Sequence, residues 1–208
     1  MNIDLSNNST KTECCSTNST LINDAKIKLG DVCLDIGCGH GTNVIRIADK
    51  VGEHGFVNGI EFSEETISKA RLSAKKLGIN NVDFITSDRE TLEIKSQSID
   101  VIISNYTINK IEKKQKIFNE IYRILKKGGR IVISDIYAKE PVPIEFRTNP
   151  QMIAECWAGA TTKEEYLRIL ENAGFTTIEI IEESKPYKKG EIYISNLTFT
   201  STKDICCL

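Results

Sequence analysis

Apolar runs alternate with segments of helical spacing along most of the chain. Residues 32–36 form a largely apolar run, which is typical of a central strand buried on both faces. Similar patterns predict further strands at residues 56–60, 82–86, 100–104, 130–134, 176–182 and 191–200. Between the strands, apolar residues at helical spacing predict helices around 44–51, 67–77, 117–125 and 166–173. Gly128 and Gly129 are expected to end the third of these helices.

The order of these elements predicts a single α/β domain. Strands that alternate with helices form a mainly parallel sheet covered on both faces, here a Rossmann-like fold with seven strands. A short segment rich in Pro, Lys and Gly separates the last two strands, which predicts an antiparallel hairpin at the sheet edge. We expect a flexible leader at 1–20, the domain at 21–200 with an irregular substrate-side insertion at 137–160, and a tail at 201–208.

Composition and charge narrow the class of partner. The 208 residues carry a formal net charge of −2, with both signs interspersed along the chain. This pattern lacks the basic surface that binds nucleic acid or an anionic membrane, and no run approaches the roughly 20 apolar residues that span a bilayer. We therefore expect a cytoplasmic monomer that acts on a small molecule.

The first strand leads directly into a loop with glycine at alternate positions. Residues 35–41 read Asp-Ile-Gly-Cys-Gly-His-Gly and precede a predicted helix. Glycines at such a junction allow the backbone to approach a ligand closely, which predicts a cofactor-binding loop. A dinucleotide fingerprint requires a further glycine where Thr42 stands, so a nicotinamide cofactor is disfavoured.

This loop resembles the first motif of the class I S-adenosylmethionine-dependent methyltransferases, Asp-x-Gly-x-Gly-x-Gly, and the similarity extends over residues 29–175. The resemblance implies S-adenosylmethionine as the cofactor. Glu61 ends the second strand, where an acid accepts hydrogen bonds from ribose hydroxyls, and Asp88 is expected to face the adenine ring. The implied cofactor-binding residues are Asp35, Gly37, Cys38, Gly39, Gly41, Glu61, Asp88 and Asn105.

Further motifs resemble the arsenite methyltransferase family. Residues 101–109, Val-Ile-Ile-Ser-Asn-Tyr-Thr-Ile-Asn, are similar to that family's Val-Val-Ile-Ser-Asn-Cys-Val-Ile-Asn. Residues 155–160, Glu-Cys-Trp-Ala-Gly-Ala, are similar to its Glu-Cys-x-x-Gly-Ala, and residues 11–15 resemble its leader motif Thr-x-Ala-Cys-Cys. The resemblance implies methyl transfer to trivalent arsenic, a soft centre that thiolates bind in preference to water.

The chain departs from this family at the arsenic-binding cysteines. Tyr106 stands where the family has its first such cysteine, and the family's Tyr-Tyr-Gly-Cys-Gly segment after the leader is missing. Tyr106 and Cys156 are the expected catalytic residues, with Tyr106 closing the substrate cavity or directing its hydroxyl at the acceptor. The implied arsenic ligands are Cys156 together with an external thiol such as glutathione or with terminal cysteines, namely Cys14, Cys15, Cys206 and Cys207.

Two further cysteines have a structural interpretation, and two alternative functions remain open. Cys33 lies inside a predicted strand and Cys38 between two glycines, so both are expected to serve packing or the loop backbone rather than arsenic binding. The methyl acceptor can instead be an organic carbon, oxygen or sulfur, with Tyr106 shaping its pocket. A third hypothesis is a thiol protein that binds arsenite or another soft metal without turnover.

Overall fold

An eight-stranded sheet forms the centre of the computed structural model, which describes residues 19–87 and 91–205. The strands are β1 Val32–Ile36, β2 Phe56–Glu61, β3 Val82–Thr86, β4 Ile99–Asn105, β5 Leu125–Ala138, β6 Ile178–Glu183, β7 Tyr187–Lys189 and β8 Ile192–Thr202. They lie in the order β3-β2-β1-β4-β5-β8-β6, and β7 pairs with β8. β1 to β5 pair in parallel, whereas β8 is antiparallel to β5, β6 and β7.

Helices cover both faces of the sheet. Those in the described ranges are α1 Ser19–Asp24, α2 Thr42–Val51, α3 Glu64–Lys76, α4 Lys114–Ile124, α5 Ile144–Arg147, α6 Pro150–Ala154 and α7 Lys163–Ala173. One apolar cluster joins α1, α2 and α3 to the sheet through Leu21, Val44 and Ile67. A second cluster joins α4 and α7 to the opposite face through Phe118 and Leu170. The Rossmann-like α/β fold with an antiparallel edge is therefore confirmed.

The central strands are apolar because both of their faces are buried. In β1, Cys33 belongs to the cluster under α2 and α3, whereas Leu34 belongs to the cluster under α4 and α7. In β4, Val101 and Ile102 divide between the same two clusters. Successive strand residues point to opposite faces, so a doubly covered strand needs apolar residues at both kinds of position.

The predicted end of α4 is wrong. The sequence places it at Gly128 and Gly129, but the helix ends at Ile124 and β5 begins at Leu125. The backbone N–H of Gly128 donates to the Lys203 carbonyl, and the N–H of Lys203 donates to the Gly129 carbonyl, both at 2.8 Å. Backbone pairing with the residue after β8 therefore overrides the usual role of glycine as a helix terminator.

The insertion at residues 137–160 is more regular than predicted. β5 continues through Ala138, and α5 and α6 follow it. The Asn149 side chain caps α6 by accepting hydrogen bonds from the N–H groups of Gln151 and Met152, at 3.0 and 3.3 Å. Phe146 and Met152 pack against a third apolar cluster, which contains Ile136, Ala138, Val142, Cys156, Trp157, Ala160, Ile192 and Ile194. The insertion thus closes over the carboxyl end of β5.

The strands near the carboxyl end of the chain differ slightly from the predicted ones. The segment between β6 and β8 contains the short strand β7, which gives eight strands rather than seven. β8 extends to Thr202, into the segment predicted as the tail, while residues 1–18 of the predicted leader lie outside the described residues. The domain bounds stay a prediction. Within 19–87 and 91–205, no helix is both long and apolar enough to cross a bilayer.

Candidate active site

The glycine loop between β1 and α2 has a left-handed backbone at each of its glycines. The φ angles of Gly37, Gly39 and Gly41 are 80°, 54° and 82°. The N–H groups of Gly37 and Cys38 both donate to the Ile60 carbonyl, at 2.8 and 2.9 Å. Residues with a Cβ rarely adopt these angles, so the sequence uses glycine where the loop turns from strand to helix.

Two of these glycines face different surroundings. A Cβ atom at Gly37 would lie 1.9 Å from Oγ1 of Thr107, so this glycine allows the segment after β4 to pack directly against the loop. A Cβ atom at Gly39 would have no atom within 4 Å and would project into open space. Gly37 therefore serves the fold, whereas Gly39 leaves a surface that a ligand can approach.

Two carboxylates stand beside the loop. Oε2 of Glu61 accepts a hydrogen bond from the Gly39 N–H at 3.0 Å, and its Oε1 accepts one from the Phe62 N–H at 2.7 Å. Asp35 is buried, and its Oδ2 has no hydrogen-bond partner in the described residues. Burial, together with the nearby Glu61 carboxylate, raises the pKa of Asp35 to about 7. The carboxyl group of Asp35 is thus able to change its charge near neutral pH.

A further unsatisfied polar atom lies at the same edge of the sheet. Oδ1 of Asn105, at the end of β4, is buried and has no partner in the described residues. Because β4 pairs in parallel with β1, Asn105 and Asp35 both lie at the carboxyl edge. These acceptors and the open face of Gly39 fit a cofactor that carries hydrogen-bond donors, as S-adenosylmethionine does with its ammonium, ribose hydroxyls and adenine amine. Asp88 lies outside the described residues.

Tyr106 and Cys156 share one apolar cluster with residues of α5 and α6. Cys156 is only 2% exposed within this cluster, and the half-buried Tyr106 packs against it. Both residues have a left-handed backbone, with φ angles of 49° and 68°. The Tyr106 N–H donates to the Ser134 carbonyl at 2.8 Å, which fixes the turn at the end of β4. Non-glycine residues with such angles are uncommon and concentrate at functional sites.

The remaining cysteines divide into two groups. Cys33 and Cys38 are buried in the cluster on the α2 and α3 face, away from Cys156. Burial raises the pKa of both thiols, and nearby carboxylates raise it further. Cys14, Cys15, Cys206 and Cys207 lie outside the described residues. Within the described ranges, no group of three or more His, Cys, Asp or Glu side chains is arranged to hold a metal ion.

Asp135 and Asn109 form a buried polar pair that no sequence pattern predicted. Oδ2 of Asp135 accepts a hydrogen bond from the Asn109 N–H at 3.1 Å, and its Oδ1 accepts one from Nδ2 of Asn109 at 2.9 Å. Asp135 thereby joins β5 to the turn that follows Tyr106. An acid directly after an apolar strand was the only indication of this role, and the motif containing Asn109 did not identify its partner.

Comparisons with known proteins agree with this geometry. The profile of a family described as a methyltransferase domain matches residues 27–174. An arsenite methyltransferase from Halobacterium salinarum is 36% identical over 151 residues, which cover 73% of this chain and 39% of that protein. A demethylmenaquinone methyltransferase from Oceanobacillus iheyensis is 26% identical over 121 residues, which cover 58% of this chain and 50% of that protein.

One solved structure extends the comparison to three dimensions. An arsenic(III) S-adenosylmethionine methyltransferase from Chlamydomonas reinhardtii has a TM-score of 0.76 and 29% identity, and the match covers 86% of this chain and 65% of that chain. The present chain spans about two fifths of the length of the Halobacterium salinarum protein.

We predict that S-adenosylmethionine binds more weakly as the pH falls below about 7. The pKa of Asp35 is raised to about 7, so its carboxyl group becomes protonated in this range. A cationic ligand favours the ionised form, so binding should release a proton near neutral pH and weaken by up to about tenfold per pH unit below it. Calorimetry in buffers of different ionisation enthalpy measures both the dissociation constant and the released proton. Asp35→Asn should remove the pH dependence, and a flat wild-type profile would contradict this role.

We also predict that Gly39→Val abolishes cofactor binding and leaves the protein folded. The side chain would occupy the open space beside the loop, and its left-handed backbone adds about 1 kcal/mol of strain. Gly30→Val is a matched control, because Gly30 also has a positive φ angle and open space around it but lies before β1. Calorimetry should show binding in the control and none in Gly39→Val, while circular dichroism shows both folded. Normal binding by Gly39→Val would show that the ligand does not approach this loop.

Proposed function

The chain belongs to the methyltransferase domain family, and from this premise we propose that it transfers a methyl group from S-adenosylmethionine to trivalent arsenic held by Cys156. The observation that carries the proposal is the placement of Cys156 within one apolar cluster and of Tyr106 against that cluster, both with left-handed backbones, at the carboxyl edge of the sheet. Similarity to arsenite methyltransferases supports the choice of acceptor.

The cofactor is held by the loop and by the polar groups at the same edge of the sheet. Gly39 offers open backbone, Glu61 fixes that backbone through the Gly39 N–H, and Asp35 and Asn105 provide buried acceptors. When bound, S-adenosylmethionine supplies an electrophilic methyl group that an electron-rich acceptor atom takes up. The protein contributes chiefly position and the exclusion of water.

Cys156 contributes the soft ligand. Its thiol replaces one hydroxyl group of arsenous acid: the sulfur–arsenic bond forms, the arsenic–oxygen bond breaks, and the thiol proton leaves with the hydroxide as water. Arsenic held in this way retains its lone pair, which would form the arsenic–carbon bond while the carbon–sulfur bond of the sulfonium breaks and its electron pair stays on sulfur. The rings of Trp157 and Phe146 pack edge to face, with their centroids 5.6 Å apart. Together with the other apolar residues of the cluster, they keep bulk water from the bound arsenic.

The other arsenic ligands come from outside this cluster. We assign them to glutathione or another small thiol, or to the terminal cysteines Cys15, Cys206 and Cys207. A substrate that arrives as a thiol conjugate or an already methylated arsenical needs fewer protein thiols than free arsenite does. In this proposal the protein works in the cytoplasm as a monomer on a small-molecule substrate.

A small organic acceptor is the second candidate. The apolar surroundings of Tyr106 favour it, because apolar side chains beside a partly buried residue can contact a hydrocarbon or aromatic substrate. The similarity to a demethylmenaquinone methyltransferase is in keeping with this alternative. Here Tyr106 shapes the pocket, and Cys156 serves packing alone.

We predict that Cys156→Ser lowers arsenite affinity by at least about tenfold and removes arsenic methylation, because a hydroxyl is a much poorer ligand for a soft centre than a thiolate. Cofactor affinity should stay unchanged, since Cys156 lies outside the glycine loop. Calorimetry measures both affinities, and mass spectrometry of the arsenic species measures turnover in the presence of glutathione.

Cys33→Ser is the matched control for this prediction. Cys33 is equally buried but belongs to the cluster on the other face of the sheet, so its substitution should lower only the stability of the fold. Unchanged arsenite affinity in Cys156→Ser would remove the arsenic hypothesis and favour the organic acceptor. Arsenite binding without any methylated product would instead favour a thiol protein that does not turn over.

We further predict that Tyr106→Cys strengthens arsenite binding by about tenfold and raises methylation. A second thiol in the same cluster makes the second arsenic–sulfur bond intramolecular, which increases its effective concentration. Tyr106→Ser opens the same space without adding a thiol and is the matched control. An equal gain in both variants would show that removal of the ring, and not the new thiol, produces the effect.

A further inference from the structure

A cavity of about 1080 Å³ lies on the α4 and α7 side of the carboxyl edge. Its wall is formed by the turn at Ile108–Lys110, the start of α4, the short helices α5 and α6, and α7. Neither Tyr106 nor Cys156 lines it, and no residue of the glycine loop does. The cavity is therefore separate from the proposed arsenic site.

Lys114 is a buried cation in the wall of this cavity. It is only 7% exposed, and its ammonium donates one hydrogen bond in the described structure, to the Ile111 carbonyl at 3.1 Å. No carboxylate of the described residues lies within ion-pair distance of it. A lysine ammonium has three donors, and burying such a charge without a direct ion pair is costly. Burial lowers the pKa of Lys114, although the Asp135 carboxylate raises it.

The rest of the charged lining is also mainly basic. Arg147 and Arg168 face the same cavity and form no ion pair with a described carboxylate. Lys110 and Lys113 add two more basic side chains to the lining. The acidic side chains of the lining are those of Glu112 and Glu165. An excess of positive charge around a concave surface attracts anions.

Unsatisfied polar atoms on two lining residues provide a second, independent observation. Oδ1 of Asn109 and Oγ1 of Thr161 are buried without a hydrogen-bond partner in the described structure. Both residues line the cavity and are more than nine-tenths buried. Buried polar atoms in folded proteins normally have a partner. The Thr161 hydroxyl is able to donate a hydrogen bond to an anionic group, whereas Oδ1 of Asn109 only accepts and is completed by water or by a donor group of the ligand.

Apolar side chains complete the wall. Ile111 is buried, while Ile144 on α5 and Ile153 on α6 are exposed at the rim, and Ile169 lies on α7. A ligand that suits this lining carries both an anionic group and an apolar body.

We propose that this cavity binds a small organic anion, in which a carboxylate or phosphate group pairs with Lys114, Arg147 and Arg168 and an apolar body contacts the isoleucines. The site shares a wall with the proposed active centre. Asn109 and Gly159 line the cavity and each follows a catalytic candidate, Tyr106 or Cys156, by three positions. A Cβ atom at Gly159 would lie 1.9 Å from the Asn109 carbonyl oxygen, so these two segments pack directly together.

Calorimetric titration of the full chain with three probes tests the proposal. Phenyl phosphate combines both features, inorganic phosphate lacks the apolar body, and phenylacetate replaces phosphate by carboxylate. We expect saturable binding of at least one organic anion, with phenyl phosphate at least about threefold tighter than inorganic phosphate because its ring is buried. Failure of both organic probes to bind at millimolar concentration, or equal affinity for the two phosphates, would overturn the proposal.

Two substitutions locate the binding. Lys114→Met replaces the buried charge by an apolar chain of similar length, and Arg168→Gln removes an exposed cation that lines the cavity. Each should weaken binding of the organic anion by at least about tenfold. Lys76→Met, an exposed lysine at the end of α3, is the control and should bind as the wild type does.

The outcomes separate this site from a structural lysine and from the arsenic site. Circular dichroism should show that Lys114→Met is folded, so that weaker binding reports the lost ammonium group and not a lost fold. Wild-type affinity in Arg168→Gln, or in a folded Lys114→Met, would contradict the site. Cys156→Ser should bind the organic anion normally, so the result does not depend on whether arsenic is the methyl acceptor.

Discussion

The close approach of the Thr107 side chain to the backbone of Gly37 is the contact on which the candidate site depends. No side chain fits between them, since a Cβ atom at Gly37 would lie 1.9 Å from Oγ1 of Thr107. The loop is held from the other side by the Ile60 carbonyl and the Glu61 carboxylate. Contacts from β2 and from the segment after β4 thus fix the left-handed loop before any ligand binds, which reduces the ordering cost of binding.

The parallel sheet turns this local contact into a site. Because β1, β2 and β4 run in the same direction, their carboxyl ends bring Asp35, Glu61 and Asn105 to one edge. The segments after β4 and β5 then carry Tyr106 and the insertion with Cys156 over that edge. Packing in the third apolar cluster maintains the strained backbone of both residues. The site therefore depends on the packed side chains around it and not on the backbone angles that Tyr and Cys prefer.

The sequence was sufficient for features with a short-range physical cause. Strands such as Val32–Ile36 followed from apolar runs, and the loop from glycine spacing. Long-range pairing was not accessible: the Gly128 and Gly129 backbone pairs with Lys203, which no local pattern reveals. The left-handed angles at Tyr106 and Cys156, and the burial of Lys114 in a basic cavity, likewise arise from tertiary packing, which overrides the propensity of single residues.

In the reaction we propose, a loop-bound methyl donor and a thiol-held arsenic meet in one active centre. The most direct measurement incubates the full chain with methyl-deuterated S-adenosylmethionine, arsenite and glutathione, and identifies the arsenic species by mass spectrometry. We expect a methylated arsenical that carries the deuterated methyl group, in an amount that increases with protein concentration. Unchanged arsenite, at concentrations where calorimetry shows the cofactor bound, would contradict it.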